Sequence, residues 1–426
     1  MSNPFAIHTM STCCLPRRII LAALPLLLAC STATEPDPAR PSPTLDALPR
    51  ALTTGEQRVI GAANDFSFAL FRRLGAAQQG ENVFTSPLSA SMALGMAMNG
   101  AAGTTHDEMR ATLGFGATAT DAEIGESYES LIALLRGLDP SVDFRIANAI
   151  WYRAGFPVNQ SFLDQGRNWF DARVSAIDFA SPAAVPTIND WVSTATAGKI
   201  PTIIETIRGD QIMFLINAIY FKGGWRTKFD PARTIDAPFH AIGGDQPAKL
   251  MHREGTMKYL QTADFHAVDL PYGNSAYAMT VVLPNEGRDI DAVGAALQGS
   301  AWADWMAQLH DAEVDLYLPR FKLAWERALI PDLESLGMRA AFVPGGADFT
   351  RLSPAGRDLY ISVVKQKTYV DVDEEGTEAA AVTNVGISVV SMPVRASFRV
   401  DRPFIFVLRE RLSGTILFMG RIVRIP

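Results

Sequence analysis

The residues of this chain that could perform acid–base, metal or nucleophilic chemistry form no catalytic pattern. No two of its six histidines stand at metal-ligand spacing: His8, His106, His240, His252, His266 and His310. The sequence contains no Gly-x-Ser-x-Gly motif and no phosphate-binding loop. Residues 371–376 resemble the start of a calcium loop, but Val382 stands where the twelfth position requires Glu. We therefore predict no metal, no cofactor and no catalytic residue.

The stretch that carries most chemical information begins at residue 369. Residues 369–372 have the composition of a strand, and Glu374, Glu375 and Gly376 should turn the chain into solvent. After the glycine, every second side chain is small or apolar: Thr377, Ala379, Ala381, Thr383, Val385 and Ile387. This period of two is typical of a strand with one buried face. The segment is thus suited to be an exposed loop in one state and a central strand in another, with a surface helix as the alternative.

The elements around this stretch indicate an α+β protein. The predicted helices come first, at residues 55–76, 86–101, 107–113, 121–136 and 187–197. The predicted strands dominate later, at residues 144–152, 211–221, 277–283, 313–318, 361–372, 404–408 and 415–421. Because the order is not a regular βαβ alternation, large antiparallel or mixed sheets are expected. Residues 53–426 contain no second linker, which favours one domain.

The charge of the chain argues against nucleic-acid binding. Its formal net charge is −7 and its sequence pI is about 5.5. An acidic surface repels phosphate backbones, and no run of Lys and Arg with interleaved aromatic residues offsets this repulsion.

The amino terminus reads as a targeting segment, residues 1–29. Arg17 and Arg18 precede an apolar run at residues 19–29 that is too short to span a membrane. The run ends at Cys30 in a sequence that resembles a bacterial lipobox, although Leu28 departs from the small residue usual there. We predict cleavage before Cys30 and a lipid anchor on it. An ordinary signal peptide is the alternative.

Residues 30–52 are rich in Pro, Ala, Thr and Ser, and read as a tether to the domain. The remaining cysteines, Cys13 and Cys14, would leave with the signal segment. The mature chain would then have no disulfide and no thiol nucleophile. We expect an extracytoplasmic protein, either anchored in the cell envelope or secreted.

Five short segments, in order along residues 55–425, resemble the signatures of one family, the serpins. They are residues 82–89, residues 221–225 with Trp225, the hinge at residues 374–381, residues 398–408 and residues 418–421. The resemblance implies helices packed around three β-sheets, with an exposed reactive-centre loop. It also implies that the chain is an inhibitor and not an enzyme.

The resemblance implies a single-use mechanism. A serine protease attacks the loop and forms an acyl-enzyme, and the cleaved loop then inserts into the central sheet from Gly376 onward. Thr377 is the first side chain that must enter. The hinge residues are Glu374, Glu375, Gly376, Thr377, Glu378, Ala379, Ala380 and Ala381.

The family's usual spacing of 14 residues after the hinge glycine places the cleaved bond at Val390-Ser391. A medium aliphatic residue before the bond suits elastase-like or chymotrypsin-like proteases. A register shifted by one would use Val389 or Ser391 instead. A trypsin-like protease would require Arg395, which lies five residues beyond that count.

The resemblance also implies which residues take part in the opening of the central sheet. Trp225 corresponds to the tryptophan of the upper end of the sheet, the breach. Ser86, Ser89, Asn189 and Gln366 correspond to the polar residues beneath it, the shutter. The family usually has histidine at the position of Gln366, and glutamine can likewise donate and accept hydrogen bonds.

Two other functions remain open at this point. A non-inhibitory member of the fold would act as a surface binding module, and an inhibitory member could also reach papain-like cysteine proteases. The small residues after the hinge favour inhibition. The expected partners are a target protease in covalent complex and the membrane through the lipid, with the chain as a monomer.

Overall fold

The computed structural model describes residues 43–377 and 395–426, and the chain from Pro41 onward forms one compact unit. Its helices are α1 Thr54–Ala77, α2 Pro87–Gly100, α3 Gly103–Thr112, α4 Asp121–Arg136, α5 Gln160–Phe170, α6 Ala184–Ala195, α7 Ile290–Ala296, α8 Gly299–Gln308 and α9 Ile330–Ser335. Among the helices of these two ranges, none combines the length and the apolar character that a membrane crossing requires.

Fifteen strands lie in the described ranges. They are β1 Val83–Thr85, β2 Asp143–Arg153, β3 Ala172–Ile177, β4 Met213–Gly224, β5 Ile235–Ala241, β6 Gly244–Gln261, β7 Phe265–Pro271, β8 Tyr277–Pro284, β9 His310–Pro319, β10 Phe321–Ala328, β11 Lys365–Val372, β12 Gly376–Thr377, β13 Ala396–Arg399, β14 Phe404–Glu410 and β15 Ile416–Ile422. β11 begins four residues later than the sequence predicts, because Ile361 and Val364 make backbone hydrogen bonds to loop residues and not to a strand.

A six-stranded sheet carries the hinge. Its strand order is β10-β11-β12-β4-β2-β3. β12 consists of two residues and pairs antiparallel with β11 on one side and with β4 on the other. β4 and β11 therefore run parallel to each other, and β12 lies between them.

The other strands form a nine-stranded network in the order β1-β15-β14-β8-β7-β6-β9-β13, with β5 also on β6. The long strand β6 joins two groups: residues 258–261 pair with β7, while residues 244–259 pair with β5 and β9. These two groups and the six-stranded sheet make up the three-sheet α+β arrangement that the sequence predicts.

The main core lies between the sheets. β8, β14 and β15 are mostly apolar and are buried at every position, including the charged residues Arg409, Glu410 and Arg421. α2 packs against both β4 and β15, and its small residues permit this close approach. On the opposite face of β4, Phe214 and Ile216 pack against α6 in a separate cluster. Alternate residues of β4 thus face α2 and α6.

The N-terminal segment, residues 43–52, contacts the domain although the sequence assigns it to the tether. The amide of Leu45 donates a hydrogen bond of 2.8 Å to the carbonyl of Asn274. Arg50 donates to both carboxylate oxygens of Glu56, at 2.8 and 2.5 Å, and Glu56 is fully buried. The backbone nitrogen of Thr53 also donates to this carboxylate as part of a capping box that begins α1.

Candidate functional site

The hinge forms a tight turn between β11 and β12. One carboxylate oxygen of Asp373 accepts hydrogen bonds from the amides of Glu375, at 2.9 Å, and Gly376, at 3.2 Å. The amide of Asp373 donates in return to the carbonyl of Gly376 at 3.0 Å. Burial raises the pKa of the Asp373 carboxyl. The turn reverses the chain and directs it between the two central strands.

The two glutamates of the hinge are held by side chains from elsewhere in the fold. Glu374 is buried and accepts hydrogen bonds from Arg320 and from the Thr234 hydroxyl, the latter at 2.6 Å. Burial alone would raise the pKa of Glu374, but these hydrogen bonds outweigh it and the pKa is lowered. Lys228 lies 2.5 Å from the carboxylate of Glu375. Both glutamates are thus fixed in place.

Gly376 fits at its position because it has no side chain. A Cβ added there would lie 2.2 Å from the carbonyl oxygen of Gly223 on β4, which no real Cβ tolerates. Trp225, directly after β4, donates its backbone amide to the carbonyl of Glu375 and its indole Nε1 to the carbonyl of Asp373, both at 2.9 Å. The tryptophan thereby fastens the hinge to the end of β4.

Thr377 points into the core, where it meets Tyr272. The two hydroxyl oxygens are 2.7 Å apart, and both side chains are buried. The ring of Tyr272 stacks on Trp225 with 4.5 Å between centroids and 16° between planes. Burial raises the pKa of Tyr272, so its hydroxyl stays neutral and available for hydrogen bonding. The first side chain of the predicted insertion therefore has a polar partner in the core.

A second polar cluster lies beneath the sheet around Gln366 on β11. Its side-chain oxygen accepts from the Thr85 hydroxyl at 2.6 Å and from the Ser86 amide at 3.1 Å, and its side-chain nitrogen donates to the Ser86 carbonyl at 2.7 Å. The amide thus serves as donor and acceptor at once, which the sequence predicts for this replacement of histidine. The Ser86 hydroxyl donates to the carbonyl of Leu417.

Ser89 connects this cluster to β4. Its hydroxyl donates to the backbone carbonyl of Asn217 at 3.4 Å. The Asn217 side chain donates to Asn148 of β2 at 2.5 Å and faces the α2 side of the sheet. Asn217 therefore lies beside Ser89 on the α2 side of β4, where the sequence analysis expects Asn189.

Asn189 lies on the other face of β4, on α6. Its side-chain oxygen accepts from the amides of Ile203, at 2.8 Å, and Ile204, at 3.1 Å, and its nitrogen donates to the carbonyl of Ile204. These bonds tie the segment after α6 to the helix. The structure does not bring Asn189 together with Ser86, Ser89 and Gln366.

The chain resumes at Arg395. Its guanidinium lies 2.6 Å from the carboxylate of Glu254, and β13 then pairs in parallel with β9. Several predicted site residues lie outside the described ranges: Cys30, Glu378, Ala379, Ala380, Ala381, Val390 and Ser391.

Sequence reasoning missed three residues of the two polar clusters: Tyr272, Thr85 and Asn217. Thr85 directly precedes Ser86 and could have been included with it. Asn217 stands among apolar residues of a strand, and a lone amide in such a run is a signal for a buried polar contact. Tyr272 had no comparable signal, because only the fold brings it to the hinge.

Comparison with known proteins agrees with this geometry. Residues 61–425 match the family model Serpin (serine protease inhibitor). The leukocyte elastase inhibitor of Equus caballus is 34% identical over 378 residues, which cover 86% of this chain and 99% of that protein.

Two solved structures share the fold. The thermophilic serpin Tengpin in its native state has a TM-score of 0.79 and 30% identity, covering 89% of this chain and 98% of its own. Human thyroxine-binding globulin complexed with thyroxine has a TM-score of 0.79 and 29% identity, covering 87% and 99%. The chain belongs to the serpin family of serine protease inhibitors.

Proposed function

We propose that this serpin inhibits elastase-like serine proteases by inserting its cleaved loop between β4 and β11. The observation that carries the proposal is β12: Gly376 and Thr377 already lie between these two strands and pair with both. If the residues after Thr377 inserted as a strand, they would extend β12 between β4 and β11.

The register of β12 defines where each inserted residue would go. Thr377 lies opposite Gly223, and in an antiparallel pair each step forward on one strand is a step back on the other. Ile387 would then reach Met213, the first residue of β4. The ten residues from 378 to 387 would extend the strand by about 33 Å at roughly 3.3 Å per residue.

The faces of that strand match the side chains. Thr377 points to the α2 side, so residues 379, 381, 383, 385 and 387 would share this face. All five are small or apolar. Thr383 would stand opposite Asn217 on β4 and Gln366 on β11. It is the one hydroxyl-bearing residue of the five, and it would therefore lie next to the polar side chains beneath the sheet.

The protease class follows from the residue before the cleaved bond. Val390 suits a small apolar specificity pocket, and the leukocyte elastase inhibitor among the relatives supports this class. Arg395, which a trypsin-like protease would require, is paired with Glu254 and directly precedes β13. Because β13 pairs with β9 from the next residue onward, the peptide bond after Arg395 would not be free to enter a protease cleft.

The test is incubation with pancreatic elastase, chymotrypsin and trypsin, followed by denaturing electrophoresis. We expect a complex stable to boiling with elastase and none with trypsin, and mass spectrometry should locate cleavage after Val390. Elastase whose catalytic serine is replaced by alanine is the control and should give no complex. Clean cleavage of the loop with full recovery of elastase activity would refute inhibition.

A matched variant tests the insertion step. In Thr377→Arg, a charge would have to enter the space beside Tyr272, which costs several kcal/mol. The variant should still be cleaved by elastase but be released as substrate, and the conservative Thr377→Ser should still form the complex. A persistent complex with Thr377→Arg would contradict insertion along this path.

A surface binding module is the second candidate. It is favoured by the similarity to thyroxine-binding globulin, which was solved in complex with thyroxine. The two functions separate in the same assay, because a binding module would be cleaved without trapping the protease.

We also propose that the chain is held at the cell envelope through Cys30. With residues 43–52 docked on the domain, the free tether would span residues 31–42, which reach about 40 Å at roughly 3.4 Å per residue. Metabolic labelling with a radioactive fatty acid tests the anchor: Cys30→Ala should lose the label. An unlabelled parent chain would indicate an ordinary signal peptide instead.

A further inference from the structure

Three potential metal ligands meet across β6 and β9. His252 and Glu254 are two residues apart on β6 and share a face, and Asp315 on β9 stands directly opposite Glu254. The Nε2 atom of His252 is 2.7 Å from a carboxylate oxygen of Asp315 and 3.8 Å from one of Glu254. Within the described ranges, this is the group in which three such ligand atoms all lie within 4.8 Å of one another.

The group stands on a rigid support. β6 and β9 pair without a break from Leu250 to Tyr259, so all three ligands project from a continuous ladder. The imidazole of His252 stacks on the ring of Tyr317, with 4.2 Å between centroids and 9° between planes. The side chain that supplies the nitrogen is therefore already held in one orientation.

We propose that His252, Glu254 and Asp315 form a binding site for Zn²⁺. One imidazole and two carboxylates are a zinc-type donor set, and water would complete the tetrahedron. Ca²⁺ and Mg²⁺ require six or more oxygen ligands and do not favour an imidazole nitrogen. The histidine therefore selects zinc over both of these ions.

The Glu254 oxygen nearest His252 already has a partner. Arg233 binds this oxygen, Oε1, at 2.7 Å, whereas Arg395 binds the other oxygen, Oε2, at 2.6 Å. A zinc ion on Oε1 would therefore have to displace Arg233. The Arg233 side chain is partly exposed, and exposed ion pairs contribute little, so this displacement is inexpensive. Zinc and Arg233 thus compete for Glu254, and the binding is independent of the proposed inhibition.

Calorimetric titration of the full chain with ZnCl2, without protease, tests the site. We expect one saturable site that His252→Ala and Asp315→Asn each weaken by at least about tenfold. Arg233→Ala should bind zinc about two- to fivefold more tightly, because it removes a competitor. CaCl2 and MgCl2 should give no such site.

His240 offers a matched control. It has one carboxylate partner, Asp245, at 2.8 Å, and belongs to no three-ligand group among the described residues. His240→Ala should bind zinc as the parent chain does, and any background binding by cysteines is the same in every variant. Thermal unfolding without zinc verifies that the nearly isosteric Asp315→Asn is folded.

Two results would overturn the proposal. Identical zinc titrations for the parent chain and folded His252→Ala would exclude the site. Binding that does not become tighter in Arg233→Ala would refute the competition.

Discussion

Replacing Tyr272 by phenylalanine removes one oxygen atom and leaves the Thr377 hydroxyl buried without the partner it has at 2.7 Å. A buried hydroxyl that loses its hydrogen bond costs about 1–3 kcal/mol. About 1.4 kcal/mol corresponds to a tenfold change in population. The open hinge, in which Gly376 and Thr377 are not paired between β4 and β11, should therefore become roughly 5- to 150-fold more populated. The stacking of the ring on Trp225 is unaffected by the substitution.

Hydrogen exchange followed by mass spectrometry measures this opening directly. The peptide that contains residues 373–377 should exchange faster in Tyr272→Phe by that factor, because its amides are hydrogen-bonded while the hinge is seated. Slower insertion of the hinge between β4 and β11 should also raise the number of inhibitor molecules consumed per elastase molecule. More of the acyl-enzyme would then hydrolyse before insertion is complete.

Two variants separate the hydrogen bond from general destabilisation. Tyr128 is equally buried and its hydroxyl lies 2.6 Å from that of Ser91, but it is on α4, so Tyr128→Phe should leave hinge exchange unchanged. Adding Thr377→Val to Tyr272→Phe removes both polar partners and should restore much of the protection. Unchanged hinge exchange in Tyr272→Phe would refute the role given to this contact.

Three further outcomes are expected. Gly376→Ala should abolish hinge protection in the same exchange experiment, since its Cβ would lie 2.2 Å from a carbonyl oxygen of β4. Gln366→Ala should lower the free energy of unfolding in urea by about 2–4 kcal/mol, because it leaves the Thr85 hydroxyl and the Ser86 amide without their acceptor, whereas Gln366→His should retain most of it. The Arg50 guanidinium lowers the pKa of Glu56 to about 2, so stability from this pair is complete above the ordinary pKa near 4.5 and lost as pH falls toward 2. The urea midpoints of the parent chain and Arg50→Ala should therefore converge over that interval, and a constant difference would contradict the assignment.

Features that depend only on neighbouring residues can be predicted from the sequence. The turn at Gly376, the alternation after it and the strand before it are consequences of local backbone preference and of the two-residue period of a strand. The order of the predicted helices and strands indicated the α+β class, and Gln366 was predicted to act as donor and acceptor because its chemistry allows both. The cleaved bond at Val390 and the lipid on Cys30 stay predictions.

Contacts between distant residues became visible once the fold was known. Asn189 and Asn217 are both amides in plausible places, and the face of β4 on which each lies separates them. His252 and Asp315 are 63 residues apart, so no spacing along the chain could reveal that they touch. Residues 43–52 have the composition of a tether, yet Leu45 and Arg50 find partners on the folded surface. The physical reason is common to all three: cross-strand register and the packing of layers fix these contacts, and neither is encoded in a local pattern.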